Sequence, residues 1–287
     1  MARVHVPVHV PVPVLLRFPV RLPVLVRSLA ALSVGLLLLT GCDSSGTRIA
    51  KAGSSPGSAS SGPVVVATSS WEAALAKAAG AKNVRSIVPP SIRHAPDYDL
   101  KPSDLTAVAG ADDVLYASFE PFAGRIKSAA GSKAKMVELD LDDDPETTRA
   151  NVTRLGKLFG TERAAAKWNS AFTTEWNSLS QQLKAARTGG KAPVAVAQAF
   201  TTWAAKLAGV QVAGTYGPDA VTPAQLSALS AKKPAFVLDN ENMSTGTVLP
   251  GSEARQLEIV NYPGADLDLL SVYRKAADQM RKAFAGS

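Results

Sequence analysis

From Val64 onward the chain alternates short apolar runs with stretches of helical spacing. Val64-Val65-Val66-Ala67-Thr68 is an apolar run of strand length, the pattern of a strand buried on both faces. Trp71 to Ala79 has helical spacing and stops at Gly80. Asn83 to Val88 predicts a second strand, ended by Pro89-Pro90. Pro102-Ser103-Asp104 opens a helix through Val108, with Ser or Asp available as its cap. Asp113 to Ala117 predicts a third strand, Pro121 to Ala130 a helix, and Lys135 to Leu139 a fourth strand. Such alternation predicts a parallel sheet with helices on its faces.

The period then changes. Pro145 to Ala186 is helical in character, broken at Gly160-Thr161, where Gly can end one helix and Thr can cap the next. Trp168, Phe172, Trp176, Leu179 and Leu183 fall at helical spacing on the second piece, a stripe read as core. After Arg187-Thr188-Gly189-Gly190 a second series follows. Its strands are expected at Pro193–Ala197, Gln211–Ala213 and Ala235–Leu238, with a last one over Leu257–Val260. Its helices are expected at Phe200–Leu207, from Thr222 with Pro223 in first position, over Ser252–Leu257, and over Leu267–Phe284. The fold class is therefore α/β: two lobes, each a mostly parallel sheet flanked by helices, joined by one long rigid helix. The expected boundaries are 63–145 for the first lobe, 146–189 for the helical linker and 190–287 for the second lobe.

Upstream of Pro63 the chain reads differently. Ser28 to Leu39 is apolar, preceded by Arg3, Arg17, Arg21 and Arg27 and by no acidic residue, which is the layout of a secretory signal. It is too short to span a hydrocarbon core of about 30 Å comfortably. Leu39-Thr40-Gly41-Cys42 resembles a bacterial lipobox, so residues 1–41 are expected to be removed and Cys42 to carry lipid. Asp43 to Gly62, rich in Ser and Gly, is expected to be a flexible tether. The Val-Pro alternation containing His5 and His9 belongs to the discarded part and is set aside.

Composition matters through what cleavage removes. Losing four arginines and no acid lowers the formal charge from +7 to +3. With no dense basic tract interleaved with aromatics, nucleic acid is not an expected partner. Cys42 is the single cysteine, so the folded part has neither an internal disulfide nor a thiolate metal site. Gly53-Ser54-Ser55-Pro56-Gly57 has Gly-x-Ser-x-Gly spacing but falls in the Ser/Gly tether and not at a strand-to-helix elbow, no His-Glu-x-x-His or Gly-rich phosphate loop is present, and an enzyme is not expected.

Several segments occur in the order known from one family. Val88-Pro89-Pro90, then Asp97-Tyr98-Asp99 and Pro102-Ser103-Asp104, then Ala199-Phe200 before a helix, together with the long linking helix, resemble the substrate-binding lipoproteins of bacterial zinc and manganese ABC importers. The resemblance runs from about Val64 to Phe284. It implies two lobes with ligand in the cleft between them, a monomer tethered outside the cell membrane, and a permease and an ATPase that receive the ligand.

That family usually supplies three histidines and a carboxylate, and here the pattern departs. The first histidine falls on Pro96, with His94 two residues earlier. The second falls on Asp140, and the third on Ala197, beside Gln198. Asp239 supplies a carboxylate at a strand end. His94, Glu120, Asp140, Gln198 and Asp239 all follow expected strands, where ligand groups of such lobes sit, and they form the expected site for a divalent metal, zinc or manganese, as transported ligand. One nitrogen with oxygen donors suits a harder ion such as manganese better than a zinc tetrahedron. Each residue also has a structural role open to it: Glu120 beside a helix start, Asp140 in a solvated acidic run, Gln198 as a cap, Asp239 in a turn. Trp71, Trp203 and Tyr98 keep open a second ligand class on the same fold, a siderophore, haem or other small molecule. A surface adhesin with a degenerate site is the third alternative.

Overall fold

The structure is a computed structural model that describes residues 62–92, 94–187, 191–244 and 246–285. The expected signal segment, Cys42 and nearly all of the expected tether lie outside the described residues.

The first series gives β1 (Val64–Ala67), α1 (Ser70–Ala78), β2 (Asn83–Ser86), a 3-10 turn at Ala95–Asp97, α2 (Pro102–Ala109), β3 (Asp113–Tyr116), α3 (Ala123–Ala130) and β4 (Lys135–Glu138). The four strands form one parallel sheet in the order β2-β1-β3-β4. The linker is α4 (Pro145–Phe159) followed by α5 (Glu162–Ala185). The second series gives β5 (Val194–Gln198), a 3-10 turn at Ala199–Thr201, α6 (Thr202–Ala208), β6 (Gln211–Tyr216), α7 (Pro223–Ser230), β7 (Phe236–Asn240), β8 (Arg255–Ile259) and α8 (Leu269–Ala285). Its sheet is also parallel, in the order β6-β5-β7-β8.

Local chemistry accounts for most boundaries. Ser69 and Glu72 form a capping box at the start of α1, and Thr222 and Gln225 do the same for α7. Gly160 ends α4 in the left-handed conformation (φ 67°), which glycine adopts without steric cost. Thr161 does not cap α5 through its side chain. Its hydroxyl instead donates to the Ala79 carbonyl at 2.7 Å, tying the start of α5 to the end of α1.

One expected element is absent. The helix over Ser252–Leu257 is a turn followed by β8, whose residues pair with β7 from Phe236↔Arg255 to Asn240↔Ile259. Leu257 and Ile259 alternate into the core, and this pairing overrides a helical spacing that so short a segment cannot distinguish from a strand.

The aromatic stripe of α5 is core. Phe172, Leu179 and Leu183 are buried, with Trp168 and Trp176 packed beside them. One apolar cluster runs through both lobes and the linker, from Val65 and Leu75 through Leu155 and Phe172 to Trp203, Tyr273 and Phe284. Tyr273 of α8 meets Phe172, Trp176 and Trp203 edge-on at 5.0–5.8 Å, and its hydroxyl lies 3.0 Å from that of Thr148 on α4. Lys206 of α6 adds ion pairs to Asp144 (2.7 Å) and Glu146 (2.6 Å) at the head of α4. Packing of this continuity resists hinge bending at the linker. Among the described residues, no helix is long and apolar enough to cross a membrane.

Candidate functional site: an aromatic cleft between the lobes

In each sheet the strand order reverses beside the first strand of the series, between β1 and β3 and between β5 and β7. Loops leaving the carboxyl ends of strands at such a reversal diverge and leave a crevice. Both crevices open onto the same cavity, of about 460 Å³. The first lobe contributes Trp71 after β1, His94 and Pro96 after β2, Phe119 after β3 and Leu141 after β4. The second contributes Phe200 after β5, Pro218 and Asp219 after β6, Asn240 and Met243 at the end of β7, and Asn261 and Tyr262 after β8.

The walls are mostly apolar. Trp71 and Tyr262 meet edge-to-face at 5.5 Å across the two lobes. Phe119 and Phe200 are 59% and 43% exposed, the two most exposed large apolar side chains among the described residues, and both line the cavity. Phe119, Leu141 and Phe200 also border a second hollow of about 650 Å³, whose other lining includes Glu138, Asp140, Asp142 and Arg154. The polar groups of the cavity are few. Asn261 accepts from the Trp203 indole N–H at 2.9 Å. Asn240 accepts from the Asn242 N–H, while its own Nδ2 is buried without a partner.

A layer of buried acid lies behind the Trp71–Tyr262 wall. Thr68 donates to Glu72 at 2.8 Å, and Ser69 donates to the same carboxyl through both its backbone N–H and its hydroxyl. Burial raises the Glu72 pKa against those hydrogen bonds. Glu120 accepts from the Ala117 N–H at 3.1 Å, and burial, then the charge of Glu72, push its pKa up to about 8. Burial and then Asp142 push the Asp143 carboxyl well up. Trp71 lies near enough to oppose that shift, yet neither Asp143 oxygen makes a hydrogen bond of full geometry. Burial and the charges of Glu72, Glu120 and Asp143 in turn hold the Tyr262 hydroxyl protonated.

The five residues expected to hold a metal do not meet in one shell. His94 is at the cavity, with Nδ1 3.0 Å from Asp97. Glu120 lies beneath the wall. Asp140 is exposed in the adjoining hollow, where its backbone carbonyl accepts from the Asn151 side chain at 2.7 Å. Gln198 caps the 3-10 turn after β5, accepting from the Phe200 N–H at 2.6 Å, and Gly217 is held against it where a Cβ would come within 3.1 Å. Asp239 accepts from the Tyr216 hydroxyl at 2.8 Å, a bond directed away from the cavity into the cluster of Tyr216, Val237 and Leu229. Among the described residues, no group of three His, Cys, Asp or Glu side chains is arranged to hold a metal ion. Sequence reasoning missed Phe119, Phe200, Asp219 and Asn240. The signal available was their position one to three residues past, or at, a strand end, read without restriction to metal-ligating types.

Two parallel α/β lobes, a helical linker and a cleft fed by the carboxyl ends of both sheets make up a two-lobed α/β fold. Solved structures share that fold with this chain. The laminin-binding protein of Streptococcus pyogenes superposes with a TM-score of 0.60 at 16% identity, over 78% of this chain and 99% of that one. The laminin-binding protein of Streptococcus agalactiae, described as a bifunctional adhesin with metal-transporting activity, gives 0.59 at 17%, over 76% and 100%. A periplasmic haem-binding protein of Pseudomonas aeruginosa gives 0.56 at 16%, over 78% and 94%. No protein-family model matches the chain, and no curated protein matches it in sequence. The resemblance read in the sequence thus holds for the fold.

Proposed function

We propose that this chain is the substrate-binding component of an ABC importer, anchored outside the cell membrane by lipid on Cys42, and that it hands a small organic ligand from the interlobe cleft to a permease driven by an ATPase. The observation that carries this reading is the cavity itself. Loops from both lobes converge on a volume within the range of small-molecule sites, roughly 300–1,000 Å³, and its walls are aromatic rather than ligating. The stiff linker favours small closing motions over wide hinge bending. No step requires chemistry on the ligand.

A divalent metal is the second reading. It is supported by the fold shared with a protein described as metal-transporting and by His94 at the cavity mouth. Against it stands the scatter of the other four donors.

Protein purified from its own host separates the two. Extraction followed by mass spectrometry is expected to return an organic compound at about one per chain. Zinc or manganese at that ratio in elemental analysis, lost in His94→Ala, would replace this reading with the metal one. Recovery of neither, with no ligand binding in solution, would count against a carrier.

A further inference from the structure

Resting on the carrier reading, we infer that the cleft selects an organic cation with an apolar body, held against the faces of Trp71, Phe119, Phe200 and Tyr262 with Asp219 as its counter-charge. Ring faces carry negative potential and attract ammonium groups, more strongly where water is excluded. Four rings border one cavity here, two from each lobe, so closure would place aromatic surface on several sides of a bound group.

The charge balance points the same way. Asp219 is the one acid among the described residues that line the cavity, and it has no ion pair or hydrogen bond among the described residues. No Lys or Arg lines the cavity among the described residues. In the adjoining hollow, Arg154 is turned to the Glu138 carbonyl and is outnumbered by three carboxylates. An anionic ligand such as a carboxylated macrocycle would need fixed positive charge, which the described residues lining the cavity do not offer. The unpaired Nδ2 of Asn240, buried at the cavity wall, offers a donor to an acceptor elsewhere on the ligand.

The test is calorimetric titration of the full chain with benzyltrimethylammonium, with benzenesulfonate as an anion of similar bulk, and with zinc and manganese. The expected result is saturable binding of the cation at least about tenfold tighter than the anion. Asp219→Asn should weaken the cation about fivefold without weakening the anion. Phe119→Ala and Phe200→Ala should each weaken it by about threefold, and both sites are exposed enough for the variants to fold. Arg93, which lies outside the described residues, is tested as Arg93→Ala. Anion binding equal to or tighter than the cation's, above all if Arg93→Ala removes it, overturns the inference and leaves the carrier reading standing. Binding of zinc or manganese alone overturns the inference too, and replaces the organic-ligand reading with the metal one. If none of the four probes binds, the inference is likewise overturned, and the host-derived ligand decides separately whether the chain is a carrier.

Discussion

Glu72 and Glu120 stand close enough in the buried floor of the first lobe for the charge of one to raise the pKa of the other. Neither has a cation beside it among the described residues. The floor is therefore most comfortable when it holds protons.

This relationship sets a pH dependence. Glu120 titrates near 8 in the folded chain against an ordinary value of 4.5, so between these values the folded state binds more protons than the unfolded one. Its stabilising contribution is complete below about 4.5 and is lost as pH rises through about 8. Glu72 and Asp143 shift in the same direction. The thermal midpoint should fall as pH rises from about 5 to about 8.5. In Glu120→Gln the slope should be shallower and the midpoint at the alkaline end higher. An unchanged slope would mean that this carboxyl is not buried as described.

Asn261 offers a test of the floor on the other lobe. Its carbonyl is the acceptor for the buried Trp203 indole. Asn261→Ala leaves that N–H without a partner and is expected to cost about 1–3 kcal/mol of unfolding free energy in urea. A loss well below this would indicate that water replaces the amide.

The junction between α4 and α5 predicts a reversal of helix propensity. Gly156 lies inside α4, where alanine ordinarily gains about 1 kcal/mol. Here an added Cβ would stand 2.5 Å from that of Ala165 on α5. Gly156→Ala should destabilise by about 1–3 kcal/mol, read as a lower denaturation midpoint. A stabilised variant would show that the two helices separate without cost.

Lipid attachment is testable without any ligand. Metabolic labelling with an alkyne fatty acid should mark the wild-type chain and leave Cys42→Ala unmarked. Equal labelling of both would remove the anchor from the proposal.

The element order was legible because each strand and helix carries its own local signal: the capping box of Ser69 and Glu72, Pro223 after Thr222, Gly160 after Phe159. The segment Ser252–Leu257 was not, since six residues cannot separate a period of 2 from one of 3.6, and pairing with β7 decided it. The candidate site was legible only as a set of strand ends. His94 lines the cavity, while Gln198 and Asp239, at equally suitable ends, turn to backbone and side-chain partners inside the second lobe.

Periodicity, capping residues and the lipobox-like end of the N-terminal segment are written in the chain because they act over a few residues, and they specify two α/β series around a helical linker. Which side chains meet at the cleft was settled only by tertiary structure. Asp239 and Asn240 are neighbours on β7, and side chains alternate across a sheet, so one faces Tyr216 and the other the cavity. A single step along the strand separates an inward carboxylate from a lining amide, and no local signal records which parity the packed sheet adopts.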